Sequence, residues 1–154
     1  MAYLLDTGIL LRLIDTQDVQ HSLVVDALAR LGDQADPLLI ATQNVAEFCN
    51  VLTRPVAANG KGLLPNDAIQ FLHRDIEPIC EILPENDRVY DELKRLIGKH
   101  GVVGKQVHDA RLVAIMLTWQ IENLLTLNDR HFRRYEPEGI IVVSPETLAS
   151  SGGP

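Results

Sequence analysis

The strongest constraint in this sequence is an alternation of two patterns. Short runs that are apolar at nearly every position, Tyr3-Leu4-Leu5, Leu38-Leu39-Ile40-Ala41, Ile79-Cys80-Glu81-Ile82, Leu124-Leu125 and Ile140-Ile141-Val142-Val143, are separated by longer segments. Residues 7–14, 22–31, about 43–53, 65 to about 75, 85–99 and 107–119 carry apolar side chains at helical density, and Gly32 and Pro55 supply two of the stops. A strand with one wet face alternates polar and apolar residues, so these runs are buried on both faces. Repeated βα alternation of such strands predicts a mainly parallel sheet covered on each side by helices.

The 154 residues suit one domain, 1–148, followed by a short flexible tail, 149–154, without internal repeat or linker. At 46% apolar and 23% charged the composition is that of a globular chain, which argues against disorder. Asp6 and Arg12 interrupt the first apolar segment well before the roughly 20 residues of a membrane span. That segment also lacks the basic leader and small-residue cleavage site of a secretory signal, so a cytoplasmic location away from membranes is expected. Cys49 and Cys80 have no second pair with which to build a disulfide framework or a zinc cluster, and read as buried small hydrophobes. Nor do His21, His73, His100, His108 and His131 ever fall at the i, i+4 spacing that presents two imidazoles on one helical face.

Fourteen basic against 21 acidic residues give a net charge of −7. The average surface therefore repels polyanions, and a nucleic-acid partner would need a local basic patch or bound cations.

In an open parallel sheet, ligands gather at the carboxyl ends of the strands, so acids just beyond strands matter most. Asp6 follows the first strand directly, and Asn128 and Asp129 follow Asn123-Leu124-Leu125-Thr126. Glu47 and Asp109 fall in the first turns of helices that reach the same rim if they run antiparallel to the strands. Each has an ordinary alternative. Asp6 is a favoured N-cap residue, Asp109 is a first-turn acid suited to the helix dipole, and Asn128-Asp129 is common turn chemistry. Against this, the helix of Asp109 is apolar over most of its circumference, and a carboxylate beside core residues wants a cation. Glu47 has Asn50 and Val51 where a basic partner would stand at i+3 or i+4. Carboxylates crowded together take up protons or bind hard cations, and all-oxygen donors favour magnesium or manganese. Such ions suit phosphodiester hydrolysis, and no Ser, Cys or His constellation competes.

Four stretches carry a resemblance. Leu4-Leu5-Asp6-Thr7-Gly8-Ile9-Leu10, Gln43-Asn44-Val45-Ala46-Glu47-Phe48, Val107-His108-Asp109-Ala110-Arg111 and Leu125-Thr126-Leu127-Asn128-Asp129-Arg130-His131-Phe132 resemble the four acidic blocks of a PIN domain, particularly the VapC-type toxins. The similarity runs from about Ala2 to Leu148. It implies a three-layer α/β/α sandwich and an endoribonuclease dependent on Mg²⁺ or Mn²⁺, the toxin of a toxin–antitoxin pair. It further implies that Asp6, Glu47 and Asp109 hold metal and position the attacking water. A small antitoxin protein and a homodimer are the implied partners, with the 22–31 helix and the 65–76 segment as candidate faces for them.

Two positions depart from that pattern. Gly8 stands where many relatives carry Asn or Ser, which removes a polar group near the metal. In the last block Asn128 takes the fourth acid's place with Asp129 one position beyond, and either is a candidate metal ligand. Thr7, Thr126, Arg111 and Arg130 are candidate substrate contacts; Arg133 and Arg134 extend the basic cluster, although solvated surface arginines are the commoner case. A haloacid-dehalogenase-type phosphatase would need an Asp where Gly8 stands, and a phosphoacceptor receiver domain would need a lysine where Val143 leads into Ser144-Pro145. The remaining alternative is a non-catalytic PIN-like module that binds RNA or protein.

Overall fold

The computed structural model describes residues 1–151. Five parallel strands, β1 (Tyr3–Leu5), β2 (Leu38–Ala41), β3 (Glu81–Leu83), β4 (Asn123–Leu125) and β5 (Ile141–Val143), form one sheet in the order β3-β2-β1-β4-β5. Pairing is in register from Leu4 to Leu39 on one side and to Leu124 on the other. The chain builds outward from β1 through β2 to β3, then returns across β1 to place β4 and β5. The strand order thus reverses between β1 and β4, where a crevice opens at the carboxyl ends of such sheets.

The period-2 geometry of the strands divides the core into two layers. Leu4, Leu39 and Leu124 point to one face, packed with Leu96, Val113, Met116 and Tyr135. Tyr3, Leu5, Leu38, Ile40 and Leu125 point to the other, packed with Leu10, Val24, Leu31, Phe48 and Ile76. The first layer holds α5 (Val89–His100) and α6 (Gln106–Thr118); the second holds α1 (Thr7–Ile14), α2 (His21–Asp33), α3 (Thr42–Thr53) and α4 (Pro65–Phe71). This is the three-layer α/β/α sandwich expected. Helix α6 is apolar nearly all round because it lies in the core: Ala110, Leu112, Val113, Ala114, Ile115 and Met116 are all buried. It follows α5 through Gly101 and Gly104, both at positive φ (58° and 56°), a conformation glycine adopts without strain.

Several boundaries differ from the sequence reading. The third strand is Glu81–Leu83 rather than 79–82, since Ile79 and Cys80 close the preceding helical turn through bonds from their N–H groups to the Ile76 carbonyl. Residues 85–88 are not helical. The Asn86 side chain accepts the Arg88 N–H at 3.0 Å, an Asx turn that delays α5 to Val89. Three short helical pieces carry too few turns to show periodicity: α7 (Asp129–Phe132), the 3₁₀ segment Arg133–Glu138, and α8 (Pro145–Ser150). Helix α8 is capped by the Ser144 hydroxyl and docks on α2, where Arg30 donates to the Leu148 carbonyl at 3.1 Å. It therefore carries order as far as Ser150, two residues into the stretch read as a tail; residues 152–154 of that stretch lie outside the described residues.

Candidate active site

The carboxyl ends of β1 and β4 are tied together by side chains. Asp6 ends β1 and caps α1, its Oδ1 accepting the Thr7 N–H at 2.9 Å. Thr126 follows β4, and its hydroxyl donates to Asp6 Oδ2 at 2.7 Å while accepting the Asn128 N–H at 3.0 Å. Capping thus consumes one carboxylate oxygen and positioning the other. Both residues are buried, Thr126 completely.

Glu47 is brought in by a second chain of bonds. Asn44 is fully buried near the start of α3, where its Oδ1 accepts the Ala41 N–H at 2.8 Å, so its amide nitrogen is left to donate to Thr7 Oγ1 at 3.2 Å. With that lone pair occupied, the Thr7 hydroxyl hydrogen goes to Glu47 Oε2 at 2.7 Å. Gln43 donates to Glu47 Oε1 at 2.9 Å and to the His108 carbonyl at 2.7 Å, which joins α3 to the first turn of α6. Arg111 in turn donates to Gln43 Oε1 at 3.0 Å and to Glu85.

Asp109 sits in that first turn of α6, half-buried, with His131 Nδ1 at 3.5 Å from its Oδ2. Burial raises the carboxyl pKa of Asp109 against the pull of His131, and the charge of Glu47 adds to the rise. Asp6 is pushed to about 6, chiefly by burial and further by the charges of Asp109 and Glu47, despite the lowering bonds from Thr126 and Thr7. The charge of Glu47 thus bears on both aspartates.

The other expected site residues divide. Thr7, Thr126 and Arg111 are brought to the acids, but each is committed to protein partners there. Asp129 is held by Arg133 from both Nε and Nη2. Asn128, exposed, stands at the N-cap position of α7 without a side-chain capping bond. Gly8 lies in α1 with open space beside it, the nearest atom to an added Cβ being Arg12 Nη1 at 4.0 Å. Gln43, Asn44, Glu85 and His131 were given no role by the sequence reading. A run of polar residues between a buried strand and Glu47 was the one available sign, because buried polar side chains require partners.

The donor set suits a divalent ion. Hard carboxylate oxygens, mutually repelling and partly desolvated, match Mg²⁺ or Mn²⁺. Among the described residues no three His, Cys, Asp or Glu side chains already form a metal-binding group. Mg²⁺ commonly takes one or two carboxylates and fills its remaining positions with water and substrate oxygens, so the residues fit without a preassembled cage.

Comparison with known proteins agrees with the architecture. The family model described as PIN domain matches residues 3–137. No curated protein sequence matches the chain. Among solved structures, VapBC-1 from nontypeable Haemophilus influenzae superposes with a TM-score of 0.67 at 18% identity, covering 95% of this chain and 99% of that one. FitAcB from Neisseria gonorrhoeae gives 0.66 at 22% identity, with coverage of 94% and 98%. VapC20 of Mycobacterium tuberculosis, described as a sarcin-ricin loop cleaving toxin, gives 0.60 at 15%, with coverage of 90% and 96%. At these identities the likeness is one of fold.

Proposed function

The chain belongs to the PIN domain family, and from that premise we propose that it is a divalent-metal-dependent endoribonuclease, the toxin of a toxin–antitoxin pair. What supports the reading is that Asp6, Glu47 and the α6 turn bearing Asp109, from three separate elements, are linked at the sheet's switch point through Thr7 and Gln43. Likeness to VapBC complexes supports a small antitoxin partner, and likeness to an RNA-cleaving toxin supports RNA as substrate.

Asp6 and Asp109 are the residues that would hold Mg²⁺ or Mn²⁺, with Glu47 beside them. Bound there, the ion would activate a water and neutralise charge on the phosphate. The rest is work for this chain's own groups. Thr126 and the Thr7 N–H fix both oxygens of Asp6, so that carboxylate needs no reorientation when a ligand arrives. Thr7 and Gln43 do the same for Glu47, and Gln43 holds the α6 turn bearing Asp109 at its working separation from α3. Thr7, Thr126 and Arg111 act in this reading as positioning residues.

One observation favours a second reading. Both oxygens of Asp6 and of Glu47 already have protein donors, a state in which a non-catalytic binding module could rest. Incubating the purified chain with structured RNAs and Mn²⁺, beside a chelator control and the variants Asp6→Asn and Asp109→Asn, separates the two. The nuclease reading expects cleavage that needs metal and falls at least a hundredfold in each variant. Cleavage that survives either substitution, or none with any RNA, rejects it. Mass in solution tests the expected homodimer.

A further inference from the structure

Beside Asp109 a cavity of about 140 Å³ opens, lined also by Gln106, Arg130, His131, Arg134 and Tyr135. Its charges are lopsided: two guanidinium groups and an imidazole face one carboxylate. Arg134 gives Nη1 to Gln106 Oε1 at 2.9 Å, and the Arg130 guanidinium has no hydrogen-bond or ion-pair partner among the described residues. Tyr135 forms part of the cavity wall and is wholly buried; its hydroxyl lies beside Arg134 but has no partner in hydrogen-bond geometry among the described residues. Its ring is fixed edge-on against His100, with centroids 5.0 Å apart. A buried hydroxyl without an acceptor costs roughly 1–3 kcal/mol, and a ligand oxygen at this wall would supply one.

The complementary ligand is an anion with several acceptor oxygens, and 140 Å³ gives ample room for a group of about five heavy atoms. A phosphate group meets all three requirements, and guanidinium forks match its oxygens in pairs. Asp109 belongs both to this cavity and to the acidic cluster. We propose that the cavity seats a phosphate of the RNA strand adjacent to the one being cut, paired with Arg130 and Arg134 and receiving a hydrogen bond from Tyr135. The seat rests on the nuclease reading for its occupant, and it would set how the strand is registered over Asp6, Glu47 and Asp109.

The test uses the full chain in chelator, where no cleavage occurs. Amide and arginine side-chain NMR signals are followed during titration with the dinucleotide UpU, which has one internal phosphodiester and no terminal phosphate, and separately with inorganic phosphate. Both probes are expected to shift signals of Gln106, Arg130, Arg134 and Tyr135, with UpU affinity falling about tenfold in Tyr135→Phe and further in Arg130→Gln and Arg134→Gln. For a longer single strand, each arginine variant should reduce the slope of log affinity against log salt by about 0.7. Shifts with inorganic phosphate alone would make the cavity a free-anion site and overturn the strand seat, as would binding indifferent to all three substitutions. Cleavage separates the two claims. Binding of UpU through these residues in a chain that never cuts RNA keeps the seat and rejects the nuclease. A nuclease whose KM is unchanged in Tyr135→Phe and Arg130→Gln does the reverse.

Discussion

Thr126 donates its hydroxyl to Asp6 across 2.7 Å, a bond between residues 120 positions apart that joins the ends of the two strands flanking the sheet's switch point. It fixes the one carboxylate of the cluster that is almost entirely desolvated. Thr126→Val keeps the shape and removes this donor together with the acceptor for the Asn128 N–H. A loss of about 1–3 kcal/mol in denaturant unfolding is expected, with a sharp loss of cleavage. Thr126→Ser keeps the hydroxyl and should retain most of both, which separates the bond from the methyl group.

Burial, reinforced by Asp109 and Glu47, lifts the Asp6 carboxyl from 3.8 to about 6. The folded state thus holds this proton more tightly than the unfolded state does. The stability it contributes is present below about pH 3.8 and is lost as pH rises to about 6, amounting to about 3 kcal/mol above that window. Asp6→Asn, which keeps an N-cap acceptor, is expected to raise the metal-free melting temperature at pH 7 and to leave it nearly unchanged at pH 4. Added Mn²⁺ should stabilise the wild type and not the variant.

Asn44 reaches the site only through Thr7, whose hydrogen it directs to Glu47. Asn44→Ala should destabilise the fold by about 1–2 kcal/mol, because the Ala41 N–H loses its acceptor. It should also lower kcat more than it raises KM. Asn44→Asp supplies the acceptor for Ala41 without the donor for Thr7, so it should recover less activity than stability.

Behind Tyr135, next to its ring partner His100, Arg95, Lys99 and His100 converge on Glu138, holding its carboxyl at about 2 although its burial alone would raise it. A depressed folded value means stability present above about pH 4.5 and lost as pH falls toward 2. Glu138→Gln should cost about 1–2 kcal/mol at neutral pH, after allowance for solvent screening, and flatten the acid limb of the stability profile. Unfolding midpoints at pH 7, 4 and 3 measure both.

What could be read from the sequence follows where the physics is local. Strands buried on both faces show as unbroken apolar runs, and α6 announced its burial by lacking a polar face, so the sheet and its covering helices were legible. The edge strand β3 was read two residues early because Ile79 and Cys80, which close the preceding helical turn, are as apolar as a strand. Asp6 and Asp129 could be placed at one rim because both follow strands. The wiring between the acids could not be read, because the Asn44–Thr7 contact spans 37 positions and the Thr126–Asp6 contact 120. The ion pair that engages Asp129 was equally hidden, although it is local. Arg133, one helical turn beyond Asp129, claims its carboxylate, but that spacing becomes visible only once α7 is known to be helical.

Whether Asp6 and Asp109, with Glu47 beside them, hold a divalent ion is read by paramagnetic Mn²⁺ added in small amounts to the ¹⁵N-labelled chain. Amide signals around residues 6, 47, 109 and 126 are expected to broaden first and together, and Asp109→Asn to abolish the effect. Broadening centred elsewhere, or spread evenly over the acidic surface at every concentration, would contradict that binding.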